Sequence, residues 1–368
     1  MEEKNITQTN QNEITCKNCA AKLKFKPGTT SLNCEYCGTM NEIVIDKSKI
    51  REATREIDYQ DFINNTVDIS AQQQVTTVKC SGCGAETSFD PNVVSSKCDF
   101  CGSPMVANEG ESHNAITPSA LVPFKIEDKQ GKQMFQSWLG KLWWAPNNLK
   151  KYARSGKLKG MYIPYWTYDS STNTSYSGQR GTEYQVEENY TDSNGESKTR
   201  TVTKVRWTSV SGRVYNSFDD ILVVASKSLP VKLQDKLEPW NLNELVPYDN
   251  KFLTGFKTES YQVDIKEGFG SAQNKMEPTI ERTIKSDIGG DRQRITSKNV
   301  MYNNTTFKHI LLPIWISVYR YNDKAYRFII NGQTGEVQGE RPYSWIKIAL
   351  AIFVAIIVLL ILFLLLGG

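Results

Sequence analysis

Apolar and polar positions along the chain fall into two regimes. From Leu121 to Glu340 they alternate or recur at helical spacing, and from Ile348 to Leu366 they do neither, because nineteen consecutive residues are Ile, Leu, Val, Phe or Ala. In the first regime the spacing predicts a helix over Lys129–Trp144, with Met134, Trp138, Leu139 and Leu142 on one side and Pro146 as its stop. Met161–Tyr168 reads as a strand. Thr174–Val214 alternates around Asp192-Ser193-Asn194-Gly195, which predicts a long hairpin. Ile221–Ala225 reads as a further strand, and Gly268–Ile288 as a helix closed by Gly289-Gly290. Thr306–Tyr321 and Lys324–Glu340 form a second hairpin pattern around Asn322-Asp323. The class expected for 121–344 is α+β with mainly antiparallel sheet. Met161-Tyr-Ile-Pro-Tyr-Trp166 and Leu311-Leu-Pro-Ile-Trp315 echo each other, as two related sheet units would.

The uninterrupted run predicts a transmembrane helix over 345–366, with Ile348 at its start, Phe353 inside it and Leu366 at its end. A helix of nineteen residues spans about 28 Å, close to a hydrocarbon core of about 30 Å. Sixteen of the nineteen are Ile, Leu, Val or Phe, so insertion is favoured by on the order of 5–10 kcal/mol. A soluble core helix keeps a polar face, and this run has none. Arg341 and Lys347 precede it and only Gly367-Gly368 follow. Positive charge stays cytoplasmic, which predicts a single-pass, tail-anchored protein of the cell membrane with its N-terminal bulk in the cytoplasm. Tyr343 and Trp345 suit the interface at that edge.

All eight cysteines stand in C-x-x-C pairs. Cys16, Cys19, Cys34 and Cys37 recur as Cys80, Cys83, Cys98 and Cys101, each 64 positions later. No apolar leader opens the chain, so metal thiolates are favoured over disulfides. One C-x-x-C turn offers two thiolates, and a second, returned by a hairpin, completes a tetrahedron at about 2.3 Å. Gly38, Gly84 and Gly102, each after the second cysteine, let amides approach sulfur. Phe25-Lys-Pro-Gly28 and Phe89-Asp-Pro-Asn92 supply one apolar residue and a turn per module. Two structural Zn²⁺ ions are expected, one per tetrad, with no coordination position open for water. The ribbons are placed at 1–46 and 75–107. A linker over 47–74 begins as a helix, with Ile50, Ala53 and Ile57 in helical spacing, and ends flexible; a second covers 108–120.

Charge narrows the function. Residues 1–107 hold eleven Lys and Arg against fourteen Asp and Glu, a net of −3, to which two zinc ions and eight thiolates add about −4. Phosphate binding needs a positive surface, so nucleic acid is disfavoured as a partner of the ribbons. Residues 108–368 hold 33 basic against 26 acidic residues, which suits anionic headgroups near the anchor. His113 and His309 read as a solvated and a packed residue. No Walker loop occurs. Asp219-Asp220 and Glu187-Glu188 are adjacent pairs, whose side chains in a regular strand point to opposite faces. Trp143-Trp144 reads as core or as a patch facing a membrane or partner. No catalytic constellation emerges.

Met161-Tyr-Ile-Pro-Tyr-Trp-Thr-Tyr168, Ser175-Tyr-Ser-Gly-Gln-Arg-Gly181, Lys227-Ser-Leu-Pro230, Leu237-Glu-Pro-Trp240 and Phe328-Ile-Ile-Asn-Gly-Gln-Thr-Gly-Glu-Val337 join the cysteine pairs in a wider pattern. Together they resemble a bacterial family described as TFIIB-type zinc-ribbon membrane proteins, some labelled PriA-like primosomal helicases. Without a Walker loop the helicase label does not transfer. The resemblance implies partners at the membrane of PspA/ESCRT-III-like or band-7 type and a place in envelope stress. The expectation is a non-enzymatic scaffold at the cytoplasmic membrane face, its ribbons held out as a protein-binding head. The alternatives are a membrane-tethered nucleic-acid binder and an enzyme built on the aromatic-rich domain.

Overall fold

The structure is a computed structural model and describes residues 14–64, 72–81, 85–88, 95–100, 103–106, 111–147, 149, 158–191, 193, 195–322 and 324–366. The segment expected as the first ribbon forms a three-stranded antiparallel sheet of β1 (Lys24–Lys26), β2 (Ser31–Asn33) and β3 (Met40–Glu42). Helix α1 (Lys47–Ala53) follows, capped by Asp46, and then β4 (Ile57–Asp58) and α2 (Tyr59–Ile63). The segment expected as the second ribbon carries β5 (Gln72–Lys79), β6 (Glu86–Ser88), β7 (Ser95–Lys97) and β8 (Pro104–Val106), and β9 (Glu111–Ile116) follows it. The sixty-four-residue repeat extends to the backbone: β2 pairs with β3 as Ser31↔Glu42, and β7 pairs with β8 as Ser95↔Val106, every partner shifted by 64.

The main sheet begins with β10 (Ala120–Leu121). Then come α3 (Asp128–Gly140), β11 (Lys159–Thr191) and β12 (Ser197–Val224). Next are α4 (Val231–Asp235), β13 (Val246–Pro247), α5 (Asn250–Leu253), β14 (Lys257–Thr258) and α6 (Ile265–Ile288). The chain closes with β15 (Arg292–Tyr321), β16 (Lys324–Asn331), β17 (Val337–Gly339) and α7 (Trp345–Leu366). Strand order is β12-β11-β15-β10-β13, with β14 on β11, β16 and β4 on β15, and β17 on β16. Antiparallel pairing dominates, as the alternation predicts.

The two echoing motifs turn out to be hydrogen-bonded neighbours. Ile163 faces Leu312, with Pro164↔Leu311 and Tyr162↔Pro313 on either side. Trp166 Nε1 donates to the carbonyl of Val263, two residues before α6, at 2.8 Å. Trp315 Nε1 donates to the carbonyl of Ile126, two residues before α3, at 2.8 Å. Each motif thus holds the helix that leads into the other motif's strand.

Helix α6 lies on the sheet along a stripe of Ile265, Gly268, Ala272, Met276, Ile280, Ile284 and Ile288, all buried. Asp264 caps its start and Gly289, at φ +65°, ends it. Gly268 lets the helix approach closely, since a Cβ there would overlap the Tyr168 hydroxyl, which is fixed by its 2.7 Å bond to the Ile265 carbonyl. Gly268→Ala is expected to cost about 1–3 kcal/mol, read as an earlier urea midpoint.

Several expectations are revised. Helix α3 ends at Gly140, not near Pro146, because the chain turns at Lys141 to bury Leu142 and Ala145. The stretch 47–74 is not a free linker: β4 pairs with β15, Phe62 packs edge-on against Phe307 at 5.1 Å, and β5 already begins at Gln72. The stretch 108–120 carries β9, paired with β5, and β10 in the main sheet.

The ribbons are not held out on linkers either. Phe25 of ribbon 1 meets Phe252 at 5.3 Å, its amide donates to the Thr254 carbonyl, and Gly28 donates to the Phe124 carbonyl. Leu23, Phe25, Leu32 and Ile43 join one core with Phe124, Phe252 and Trp315. On the other face of the sheet, Phe100 of ribbon 2 is fully buried in a core with Met161, Ile163, Leu312 and Ile314. Asp99, its side chain 1% exposed, pairs with Lys257 at 2.8 Å and with Lys159. Burying one phenylalanine is worth about 2–3 kcal/mol, so each module is held by its aromatic plug.

Candidate metal centre

In ribbon 1 two turns converge. Cys16 and Cys19 lie before β1, and Cys34 and Cys37 follow β2. The four Sγ atoms all lie within 4.8 Å of one another. Cys16–Cys37 are 3.6 Å apart and Cys19–Cys34 3.4 Å. A tetrahedron with bonds of about 2.3 Å has edges near ~3.8 Å, so the sulfurs fit a tetrathiolate metal. Gly38 takes φ +73°, as its place after the second cysteine predicts; Ala20, at the matching place of the first turn, takes φ +57° without the glycine.

The donors around the sulfurs point the same way. The amides of Asn18 and Cys19 hold the Cys16 thiol below its ordinary pKa, and Asn18 N lies 3.4 Å from that sulfur. The Thr39 hydroxyl, 3.1 Å away, and its amide bring Cys37 down to about 5. The Ala21 amide favours the Cys19 thiolate, but the sulfurs of Cys34 and Cys37 crowd it and push it up to about 12. Four thiolates at this spacing repel one another, and a divalent cation relieves that repulsion. Cys16 and Cys34 are buried, while Cys19 and Cys37 face solvent. The set is closed by four protein sulfurs.

Ribbon 2 repeats the local backbone. Cys16 N donates to Ala21 O and Cys34 N to Thr39 O; Cys80 N donates to Ala85 O and Cys98 N to Ser103 O, always five residues ahead. Cys80 and Cys98 are buried like Cys16 and Cys34. Cys83, Cys101, Gly84, Gly102 and Phe89-Asp-Pro-Asn92 lie outside the described residues.

The structure also gathers a cluster that sequence reasoning missed. A bulge at Asp169 interrupts the register of β11 with both neighbours, and Asp220 takes φ +51° opposite it. Asp219 and Asp220 therefore do not point apart as in a regular strand. Asp219 comes within 4.8 Å of Asp169 and Glu56, and Asp220 pairs with Lys308 at 2.8 Å. Lys308, 7% exposed at its side chain, also reaches Glu56 at 3.1 Å. Burial and the hydrogen bond with Glu56 push Asp169 up to about 7. Burial works to raise Glu56 too, but bonds from Asp169, Thr306 and Lys308 outweigh it and hold it low. The carboxylates gather around one buried cation, and with β4 they tie the segment before the second cysteine tetrad to β15.

His309 is a packed residue, as expected: it is buried, its Nδ1 lies 2.8 Å from the Ile116 carbonyl, and burial lowers it to about 4. His113 falls in β9. Helix α7, from which Ile348 and Phe353 project and which ends at Leu366, is long and apolar enough to cross a membrane, and its side chains lie outside the protein core.

Over 335 residues the chain is 26% identical to YdjG of Bacillus subtilis (strain 168), a protein described as uncharacterized, with 91% of each chain covered. No protein-family model matches this chain, and no solved structure matches it. The likeness to YdjG carries no activity with it.

Proposed function

We propose that this protein is a non-enzymatic scaffold, anchored in the cell membrane by α7 with its bulk in the cytoplasm and stiffened by two structural zinc ions. The Cys16, Cys19, Cys34 and Cys37 tetrad carries the reading: four sulfurs leave no position for water, so its metal has a structural duty. The matching turns at Cys80 and Cys98 support a second ion, completed by Cys83 and Cys101. The apolar run of α7 and its basic, aromatic leading edge support the tail-anchored topology.

The docking surface we favour is the outer side of ribbon 1. Tyr36, Met40 and Val44 are exposed there, while Phe25 plugs the other side into the sheet domain. The family resemblance suggests PspA/ESCRT-III-like or band-7 proteins as partners. A photo-crosslinker placed at Tyr36 in membranes is expected to give discrete protein adducts that disappear with Val44→Asp; nucleic-acid adducts, or adducts indifferent to Val44, would overturn the scaffold reading. Metal analysis of the purified full-length chain is expected to give about two zinc ions, and Cys34→Ser about one. Deleting 345–366 is expected to move the protein from the membrane to the soluble fraction.

A second reading, contact with a polyanion, draws on the hairpin and not on the ribbons. Beyond Gly181 the strands β11 and β12 run on without β15. Lys198, Arg200, Lys204 and Arg206 share one face there with Tyr184 and Tyr190, as the pairs Tyr190↔Lys198, Glu188↔Arg200, Tyr184↔Lys204 and Thr182↔Arg206 require. Arg200 and Arg206 stack over the two tyrosines at 5.4 and 5.3 Å. Salt-sensitive binding of single-stranded nucleic acid, lost with Arg200→Glu and Arg206→Glu, would favour this reading.

A further inference from the structure

We propose that Trp143 and Trp144 sit in the headgroup layer of the bilayer and give the cytoplasmic body a second attachment beside α7. The inference rests on reading α7 as a membrane span.

The loop after α3 is built to present these two rings. Leu142, Ala145 and Leu149 are buried and pin it to the domain, whereas Trp143 is 75% and Trp144 40% exposed. Two adjacent tryptophans facing outward from a pinned turn call for an apolar or interfacial neighbour. The start of α7 tells which one. Ser344 N donates to the Trp144 carbonyl at 2.8 Å. Lys347 Nζ donates to the carbonyls of Trp143 and Ala145, both at 2.9 Å, and lies 5.9 Å from the Trp143 ring centroid.

These bonds set the depth of the loop. The hydrocarbon-matched run begins at Ile348, the residue after Lys347. A lysine at that place has its Cα about one helical rise from the hydrocarbon boundary, and its stem carries the ammonium among the phosphates. A loop bound to that ammonium at hydrogen-bond distance is at the same level. Tyr343 and Trp345, 57% and 82% exposed, lie at that level too, with Arg341 over Tyr343 at 5.6 Å. Tryptophan and tyrosine are enriched at this layer because an apolar ring and a polar edge are both satisfied there. The side chains come from two distant parts of the chain, so the belt is a property of the fold and not of the helix alone. With the loop bound at both Ser344 and Lys347, the body has no free hinge where it meets the membrane.

The test uses the full-length protein in phosphatidylcholine nanodiscs, with and without lipids brominated high on the acyl chain, which quench tryptophans lying against them. Wild type is expected to show quenching, Trp143→Phe with Trp144→Phe to lose about two-thirds of the quenched amplitude, and Trp345→Phe about one-third. Both loop rings are exposed, so the phenylalanine variants keep the fold. Unchanged quenching in the double variant, with Trp345 still quenched, overturns the proposal and leaves α7 in the bilayer. Loss of quenching from Trp345 as well, with release of the protein by alkaline carbonate, overturns the span itself and the proposal with it.

Discussion

Stripping the metal from the full-length protein is expected to lower the melting temperature of the whole sheet domain, in one transition and not in two. Tetrathiolate zinc is worth about 10–16 kcal/mol to small modules that cannot fold without it. Here the module is also part of a larger core. Cys16, Leu23, Phe25, Leu32, Cys34 and Ile43 are buried together with Phe124, Phe252 and Trp315. When ribbon 1 unfolds, Phe252 and Phe256 lose the Phe25 ring, and Phe124 stacks on Phe256 at 4.2 Å. A loss of at least ~3–5 kcal/mol is expected for the domain, with Cys34→Ser, which keeps the second ion, reproducing the part that comes from ribbon 1. The measurement is a thermal melt followed by near-ultraviolet circular dichroism of the aromatic core, with and without chelator. A core signal that melts at the same temperature after the metal has gone would show that the ribbons are passengers.

Lys308→Met is expected to cost about 3–5 kcal/mol near pH 8, because it removes the buried cation that faces Glu56, Asp169 and Asp220. Burial alone would lower the lysine's pKa, yet the bond and charge of Asp220, with Asp169 and Glu56, raise it. It therefore stays charged in the folded protein throughout the neutral range. Asp169 works in the opposite sense. Its folded pKa, about 7, lies above that of an unfolded aspartate, so the folded state keeps a proton that the unfolded state has released. That contribution is present on the acid side and is lost as pH rises through about 7. The penalty of Lys308→Met should shrink as pH is lowered from about 8 to about 5.5, since a second proton can replace the missing ammonium. Asp169→Asn, which imitates the protonated acid, should flatten the pH dependence of the wild type. Urea midpoints at the two pH values measure both effects, and a Lys308→Met penalty that is constant with pH would show that the carboxylates do not share the charge.

How much of this was legible depends on the range of the interaction. The cysteine turns, the repeat, the stop at Gly289 and the two hairpin reversals are local patterns, and each could be read from a handful of adjacent residues. The continuity of β11 could not. Asp169, Ser170, Ser171, Thr172 and Asn173 look like a loop, yet Ser170 and Thr172 are buried between β12 and β15. The backbone there is bonded on both sides, and Ser170 Oγ meets Thr305 Oγ1 at 3.0 Å. The same bulge hid the acidic cluster, because strand alternation sends Asp219 and Asp220 to opposite faces unless the strand is interrupted. The docking of the ribbons was equally out of reach. Phe25 and Phe100 suit a minimal ribbon core, and nothing in their neighbourhoods says that the rings continue into a larger one. Gln72–Lys79 and Glu111–Ile116 were hidden by their polar texture, yet β5 is the middle strand of its sheet, paired with β6 and with β9.

The pairing of Ile163 with Leu312 has a consequence for how the molecule is assembled. Around that pair, Pro164 and Pro313, and Trp166 and Trp315, stand in equivalent places on antiparallel neighbours, and each tryptophan holds the helix belonging to the other's strand. This is the arrangement of an isologous contact, the kind that joins two identical subunits about a two-fold axis. Here both partners are covalently linked, so the self-complementary edge is filled from within the chain. What distinguishes the halves lies at the periphery: the first extends the long β11–β12 arm, and the second ends in the apolar helix. The chain is in effect a tethered dimer of unequal halves, one drawn out into an arm and one continued into the apolar helix.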